Sequence, residues 1–389
     1  MRLLSGVLVV ALALAGCGGS GKGASPSAAA TASWTGPLLV YTKQVRETET
    51  TDRLWPAIEV VTYDIGAKRK VASFEIGGVG EYPSEVVTAG NKIVANLEQR
   101  AVMYDIDGSS PRVLREAAPG GYVIGIGASA DGTKLALTEA RAGAQGGDWV
   151  TGTDIVVLDI ASGEEILTVQ QSAPGFAGFI GQAGTITWRD DGSGFVVQGY
   201  TYSEYPGGTS TVMLDGSVRT HALQDWVLAA PDGRYVEHGA RAPVCESIGK
   251  SEIVLRDLDS EADLASVQGE GSILVPREWS PDSKELLYSA YAALPADGRE
   301  WCSLRPDPAS ESWYILRVDG SPPEPVSDVR AVYQRWYGDQ HVRFRCLGEF
   351  RRDRWCSDEQ GRMQPVEVWV GDTMVGSGVE VEVVGFIDR

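Results

Sequence analysis

Short runs of β-branched and aromatic residues, separated by turns rich in Gly, Asp and Pro, follow one another along the chain from about residue 37. The first three runs cover residues 38–42, 58–65 and 70–76, and none of them has helical periodicity. Runs of this length that are bounded by turn residues predict strands. The chain is therefore expected to be all-β.

The clearest turn is the Trp-Ser-Pro-Asp-Ser-Lys stretch at residues 279–284, which an apolar run follows at 285–289. Pro281 presets φ for the first turn position, and Asp282 is able to accept hydrogen bonds from its own backbone. Looser copies of this turn and strand lie at residues 129–137, 188–197, 230–236 and 336–344. A hairpin that returns every few tens of residues predicts a repeat architecture.

A second marker, an Asp followed by an apolar residue or Gly, ends the third strand of each repeat. It lies at residues 63–66, 104–108, 158–160, 214–216, 256–259 and 318–320, with a degraded copy at 370–372. Seven repeats are the main prediction. Six or eight remain alternatives, because the second and seventh repeats lack the full turn. In the second repeat, four strands are predicted at residues 85–88, 92–97, 101–106 and 112–115.

The last apolar run, residues 381–388, looks like an opening strand with no repeat after it. The first repeat lacks such a strand. We therefore expect residues 381–388 to pair with residues 38–42 and to close a ring, which would protect the sheet edges.

These turns and markers resemble the WD40-like repeats of TolB-type β-propellers over nearly all residues after about 37. The resemblance implies one β-propeller at residues 37–389, with seven blades of four-stranded antiparallel sheets around a central channel. It implies little about function, because such repeats occur both in partner-binding proteins and in propellers attached to peptidases.

The N-terminus has the pattern of a targeting segment. Arg2 precedes an apolar run at residues 3–14 that is too short for a good membrane span, which predicts a signal peptide at residues 1–16. Leu14-Ala15-Gly16-Cys17 resembles the lipobox of bacterial lipoproteins. The resemblance implies cleavage before Cys17 and acylation of that residue, with palmitate among the acyl chains, and membrane anchoring on the extracytoplasmic face. An ordinary secretion signal is the alternative. Residues 17–36, rich in Gly, Ser and Ala, are expected to form a flexible tether.

Four cysteines follow Cys17, and an even number in an exported chain predicts disulfides. Cys346 and Cys356 flank a predicted hairpin and are the easiest pair. Cys245 and Cys302 would then join long loops of neighbouring repeats. No Cys-x-x-Cys occurs and the three histidines are scattered, so we expect neither a metal site nor another cofactor.

The charge balance, 34 − 53 = −19, argues against nucleic acid and against anionic lipid headgroups as direct partners. No Gly-x-Ser-x-Gly pentapeptide occurs, and a Ser-His-Asp triad is not expected. The Asp-rich stretches at residues 105–108 and 190–192 are interpreted as turns rather than calcium loops.

Aromatic residues fall into two classes. Those at one shared repeat position should pack between blades: Trp188, Trp279 and Trp336. Those assigned to long connections are candidate binding residues: Tyr200, Tyr202, Tyr205, Trp301 and Trp313.

The sequence therefore predicts a lipid-anchored β-propeller of the cell envelope that binds or scaffolds a protein partner without catalysis. Two alternatives stay open. One is an extracytoplasmic hydrolase or lyase with carboxylates at the channel mouth, and the other is a lipoprotein that binds a small solute.

Overall fold

The structure is a computed structural model. It describes residues 34, 36–45, 57–77, 85–97, 99–142, 150–172, 185–198, 209–221, 223, 227–240, 242, 249–280, 282–299, 302–326, 334–337, 340–346, 349–351, 355–357 and 364–387. The signal peptide, Cys17 and the tether up to residue 33 lie outside these residues. Residues Trp34–Arg389 form one compact unit. Within the described residues, no helix is long and apolar enough to cross a membrane.

The described strands fall into seven successive groups. The first contains β1 (Leu38–Gln44), β2 (Ile58–Asp64) and β3 (Arg69–Ile76). The second contains β4 (Glu85–Ala89), β5 (Lys92–Asn96), β6 (Arg100–Asp105) and β7 (Arg112–Glu116). The third contains β8 (Tyr122–Ala128), β9 (Lys134–Ala142), β10 (Val150–Asp159) and β11 (Glu165–Ser172).

The next two groups also have four strands each. The fourth contains β12 (Ile186–Trp188), β13 (Gly194–Gln198), β14 (Thr209–Met213) and β15 (Val218–His221). The fifth contains β16 (Leu228–Ala229), β17 (Tyr235–His238), β18 (Glu252–Asp257) and β19 (Ala262–Gln268).

The last two groups carry additional short strands. The sixth contains β20 (Ser272–Trp279), β21 (Glu285–Arg299), β22 (Cys302–Pro306), β23 (Ser312–Arg317) and β24 (Glu324–Val326), with a 3-10 turn at Pro308–Ser310. The seventh contains β25 (Gln334–Tyr337), β26 (Gln340–Cys346), β27 (Glu349–Arg351), β28 (Trp355–Ser357), β29 (Val366–Val370) and β30 (Thr373–Ile387). The predicted all-β fold is confirmed.

Within the groups, the main strands pair antiparallel in chain order, while β22 pairs only with β21, and β27 and β28 form a separate two-stranded sheet. The central strands carry buried apolar residues on both faces of their sheets. In β18, for example, Ile253 and Leu255 pack into a cluster with Leu274 and Leu286 of the sixth group. Such two-sided burial explains why these strands read as near-continuous apolar runs. Each sheet is thus an internal layer between its neighbours.

Strand β30 belongs to two groups, because it pairs with β29 of the seventh group and with β1 of the first. Its first half pairs with β29. Its second half pairs with β1, with Ile387 opposite Leu38 and Val379 opposite Gln44. The pairing predicted for residues 381–388 is therefore present. The count of seven blades and the closing of the ring stay predictions, because no hydrophobic cluster of the described residues joins the sixth group to the seventh.

Opening strands of several neighbouring groups pack against one another, as β4 does against β8, β8 against β12, and β16 against β20. Trp188 and Trp279 are each 4% exposed, and their indole N–H groups donate to the carbonyl oxygens of Gly127 (2.8 Å) and Leu228 (2.9 Å). The predicted packing of these two tryptophans between sheets is confirmed. The side chain of Trp336 lies outside the description.

Because the strands of each sheet are antiparallel, successive connections leave the sheet at its two opposite ends, and these ends form two faces of the protein. We call the side where the opening strand turns into the second strand the turn face. We call the side where the second strand leads to the third the loop face. On the loop face, the connections from the second to the third strand cover residues 45–57, 97–99, 143–149, 199–208, 239–251, 300–311 and 347–365. All of them except 97–99 are long, whereas the turns of the turn face are short.

Candidate functional site

The turn face consists of short turns whose carboxylates are satisfied within the turn. Asp131 accepts hydrogen bonds from the Ser129 hydroxyl (2.6 Å) and the Thr133 N–H (3.0 Å). These donors hold the pKa of Asp131 at about 2. The same arrangement recurs at Asp191, Asp215 and Asp319. These carboxylates shape turns, and the described residues contain no cluster of three or more acidic, His or Cys side chains that could hold a metal ion.

Turns of neighbouring groups are in direct contact. Gly132 has a φ of +66°, and a Cβ placed on it would lie 2.2 Å from the backbone nitrogen of Gly90. The Asp232 N–H donates to the Ser283 hydroxyl at 2.9 Å. Backbone contacts between turns therefore fill the inner part of the turn face, and few side chains remain there that could rearrange around a ligand.

Arginines neutralise part of the acidic charge on the turn face. Arg189 donates to both carboxylate oxygens of Asp259 (2.9 and 2.8 Å), and Arg234 donates to Asp257 at 2.7 Å. Asp190 is different, because partial burial, together with the charges of Asp232 and Asp191, raises its pKa. Most charges on this face are thus already engaged with one another.

Two carboxylates lie on neighbouring opening strands. Glu85 of β4 is half-buried, and its Oε2 atom accepts a hydrogen bond from the Ile126 N–H at 2.9 Å. Burial, and to a smaller extent the charge of Glu382 on β30, raises the pKa of Glu85 to about 7, although the hydrogen bond from Ile126 opposes the shift. Because burial disfavours the charged form of a carboxyl, the protonation of this side chain changes near neutral pH.

A buried ion pair fixes the stem of one long connection on the loop face. Lys250 Nζ lies 2.7 Å from Glu237 Oε1, and the side chains are 3% and 1% exposed. The backbone of Lys250 also exchanges two hydrogen bonds with Leu274 of β20, at 2.8 and 2.9 Å. Burial raises the pKa of Glu237 to about 7, although the nearby Lys250 cation opposes the shift. Connection 239–251 is therefore held to both the fifth and the sixth sheet.

Trp313 is not a loop residue, which corrects the sequence-based assignment. It lies within β23, is 7% exposed, and its ring packs 5.5 Å from the Arg277 guanidinium. Arg277 also donates to the Ser289 hydroxyl (3.0 Å) and the Tyr291 hydroxyl (2.7 Å). The strand pairing between β21 and β23 extends to Ser312, so this aromatic residue is inside the sheet.

The other candidate binding residues lie outside the described residues: Tyr200, Tyr202, Tyr205 and Trp301. Their connections join β13 to β14 and β21 to β22, and both leave from the loop face. No observation tests their role.

Three cysteines, Cys302, Cys346 and Cys356, lie in described strands next to connections of the loop face. Cys356 is 1% exposed, is disulfide-bonded, and packs in a cluster with Val366, which is the strand partner of Cys346. Its partner cysteine lies outside the described side chains. Ala242, in the stem of the Cys245 connection, packs against Leu304 close to Cys302. These neighbourhoods are compatible with the two expected pairs, which stay predictions, and Cys17 and Cys245 lie outside the description.

Sequence reasoning missed Glu85, the Glu237–Lys250 pair and Arg277. A weak signal existed for Glu237, because it lies within the strand at residues 235–238, directly after Tyr235 and Val236. Nothing in the sequence indicates that Lys250, 13 residues away, supplies its counter-charge.

Comparison with known proteins supports the fold only. No family model and no curated protein sequence matches the chain. Among solved structures, tricorn protease is similar at 11% identity and a TM-score of 0.50, over 83% of this chain and 34% of that one. This chain thus spans about a third of that protein.

Two further solved structures have lower scores. Hydrazine synthase of Kuenenia stuttgartiensis is 13% identical over 74% of this chain and 73% of that chain, with a TM-score of 0.42. The Cps50 (Swd1) β-propeller domain of Myceliophteria thermophila is 11% identical over 79% and 86%, with a TM-score of 0.40.

The antiparallel four-stranded sheets, together with the likeness to tricorn protease, define the fold class of the protein: it is a β-propeller. Propellers serve as scaffolds or binding modules for many unrelated functions, so the class alone does not specify a ligand.

Proposed function

We propose that this protein is a lipid-anchored, TolB-like β-propeller of the cell envelope, which binds a protein partner through its loop face and has no catalytic role. The observation that carries the proposal is the asymmetry of the two faces. Six long connections leave from the loop face, whereas hydrogen-bonded turns occupy the turn face. Binding residues are most often found on loops that a rigid scaffold positions.

Buried polar groups at the stems of these connections support the proposal. The Glu237–Lys250 pair and the Arg277 cluster both lie where a second strand leaves its sheet towards the loop face. Buried charges are costly unless they are paired, so such groups favour one arrangement of the stems. A fixed stem lowers the entropy that a loop loses on binding.

The anchor part of the proposal depends on Cys17. Acylation of this residue, followed by the flexible segment up to residue 33, would hold the propeller at the extracytoplasmic membrane surface. Cell fractionation tests it directly. Wild-type protein should be found with membranes, and Cys17→Ala should be found in the soluble fraction or remain unprocessed. Membrane association that does not change in the variant would contradict the anchor.

The partner is tested by affinity capture of the lipidated protein from its own envelope, with identification by mass spectrometry. Tyr202→Ala combined with Trp301→Ala should lose the partner. Val218→Ala is the matched control, because Val218 is an exposed apolar residue on an outer strand beside the turn face. Equal capture by both variants would contradict the assignment to the loop face.

Glu85 and Glu382 favour a second candidate, in which the central passage binds a small solute or performs acid–base chemistry. A carboxyl with a pKa of about 7 is suited to proton exchange near neutral pH. Glu85→Gln separates the two functions. It should leave partner capture intact, whereas a channel function would lose solute binding or turnover.

A further inference from the structure

The described chain enters the propeller on the turn face of the first group. Trp34 packs partly buried against the cluster that contains Leu38 and Ile76. Gly36 approaches Gly66 so closely that a Cβ on Gly36 would lie 3.0 Å from the Gly66 nitrogen. The first described residues of the chain therefore lie beside the turn between β2 and β3.

That turn carries three consecutive basic residues. The Ala67 N–H donates to Asp64 Oδ1 at 2.8 Å and closes the turn. Lys68, Arg69 and Lys70 follow, and all three are exposed. Lys70 donates to the Ser73 hydroxyl at 3.1 Å. We call Lys68, Arg69 and Lys70 the basic patch.

The basic patch differs from the other basic residues of the turn face. Most of those are neutralised by a carboxylate, as in Lys92–Asp105, Arg189–Asp259, Arg219–Glu261, Arg234–Asp257 and Arg317–Glu285. Within the described part of the chain, the side chains of Lys68 and Arg69 make no ion pair. Their charge is therefore available to an external anion.

We propose that the basic patch contacts the anionic headgroups of the membrane to which the chain is tethered. The inference rests on the proposed acylation of Cys17. Residues 17–33, as a flexible chain, have an r.m.s. span of about 23 Å, so the patch stays within reach of the bilayer. Stable membrane contact usually combines an acyl anchor with a basic segment.

The contact orients the propeller. The net charge of −19 argues against anionic lipid as a partner of the surface as a whole, but the basic patch provides a local attraction to an anionic bilayer. The first group therefore faces the membrane at its turn face, and the loop face points away from the bilayer towards a partner.

The test uses the full lipidated chain in vesicles of phosphatidylcholine, alone or mixed with phosphatidylglycerol. Ala67→Cys carries a fluorophore beside the patch, and Ser312→Cys carries it on the loop face. A quencher on the lipid headgroups then reports which label is close to the bilayer. The test variant is Lys68→Ala/Arg69→Ala, and Arg305→Ala/Arg345→Ala is the control, which removes two exposed charges elsewhere.

We expect quenching of the label at position 67 only in vesicles that contain phosphatidylglycerol, and little quenching at position 312. Loss of two basic residues should weaken the contact equilibrium about 30-fold, whereas the control variant should behave like wild type. High salt should abolish the difference between the lipids.

Three results would overturn the inference. In the first, quenching at position 67 is equal in both lipids or does not change in the test variant. In the second, inorganic phosphate at constant ionic strength displaces the label, which would assign the patch to free phosphate. In the third, the chain does not acquire lipid and stays in solution, which would refute the proposed anchor as well.

Discussion

Replacing Lys250 with Met removes the cation from a buried ion pair while keeping the length of the side chain. Glu237 is then left 1% exposed without a counter-charge. Removing one partner of such a pair costs about 3–5 kcal/mol of the free energy of unfolding. The loss should be this large at pH 8, where the variant must either bury a carboxylate or bind a proton.

The pH dependence follows from the pKa of Glu237, which burial raises to about 7 in the folded protein. A carboxyl with a raised folded-state pKa contributes stability below its unfolded pKa and loses it as the pH rises through the folded value. Without Lys250 the folded pKa rises further. The penalty of Lys250→Met should therefore be small at pH 5 and grow towards pH 8.

Urea unfolding at pH 5 and pH 8 measures both effects as shifts of the midpoint. The double variant Glu237→Leu/Lys250→Met is the control, because replacing both partners with apolar residues is often close to neutral. The double variant should recover most of the loss at pH 8. If Lys250→Met is as stable as wild type at pH 8, or if the double variant is no better, the reasoning about this pair is wrong.

Three further predictions concern the contacts between sheets and the loop face. Trp279→Phe removes the indole donor to the half-buried carbonyl of Leu228, which should cost about 1 kcal/mol in urea unfolding. Gly132→Ala should destabilise the protein more than Gly163→Ala in the same assay. Both glycines have a positive φ, but only the added Cβ at Gly132 meets the neighbouring backbone, and equal losses would show that this contact is unimportant. Peptide mapping without reduction should recover two cross-links, Cys346–Cys356 and Cys245–Cys302, and another pairing would contradict the predicted connectivity.

Local chemistry explains what the sequence predicts well. In the turn at residues 280–284, Asp282 accepts a hydrogen bond from the Ser280 hydroxyl at 2.7 Å, as its position suggests. In the second group, strands predicted at residues 92–97 and 101–106 are observed at Lys92–Asn96 and Arg100–Asp105. Turn signals and apolar runs are properties of a few adjacent residues, so they can be read directly from the sequence.

Features that depend on residues far apart in the sequence are harder to predict. The sequence places Trp313 in or beside a long connection, whereas the strand pairing, which continues to Ser312, places it inside the sheet. In the sequence, Lys250 looks like a polar loop residue. Its burial depends on packing against the sixth sheet. Trp34 is part of the folded unit although it follows a tether-like composition, because its ring packs against the first two groups.

The most direct test of the proposed partner site is photo-crosslinking in living cells, from Tyr202 on the loop face and from Val218 beside the turn face. A crosslinking amino acid at position 202 should give one discrete adduct with an envelope protein, and the same amino acid at position 218 should give none. Adducts only from position 218, or none from position 202 in cells with normal protein levels, would contradict the claim that the loop face binds a partner.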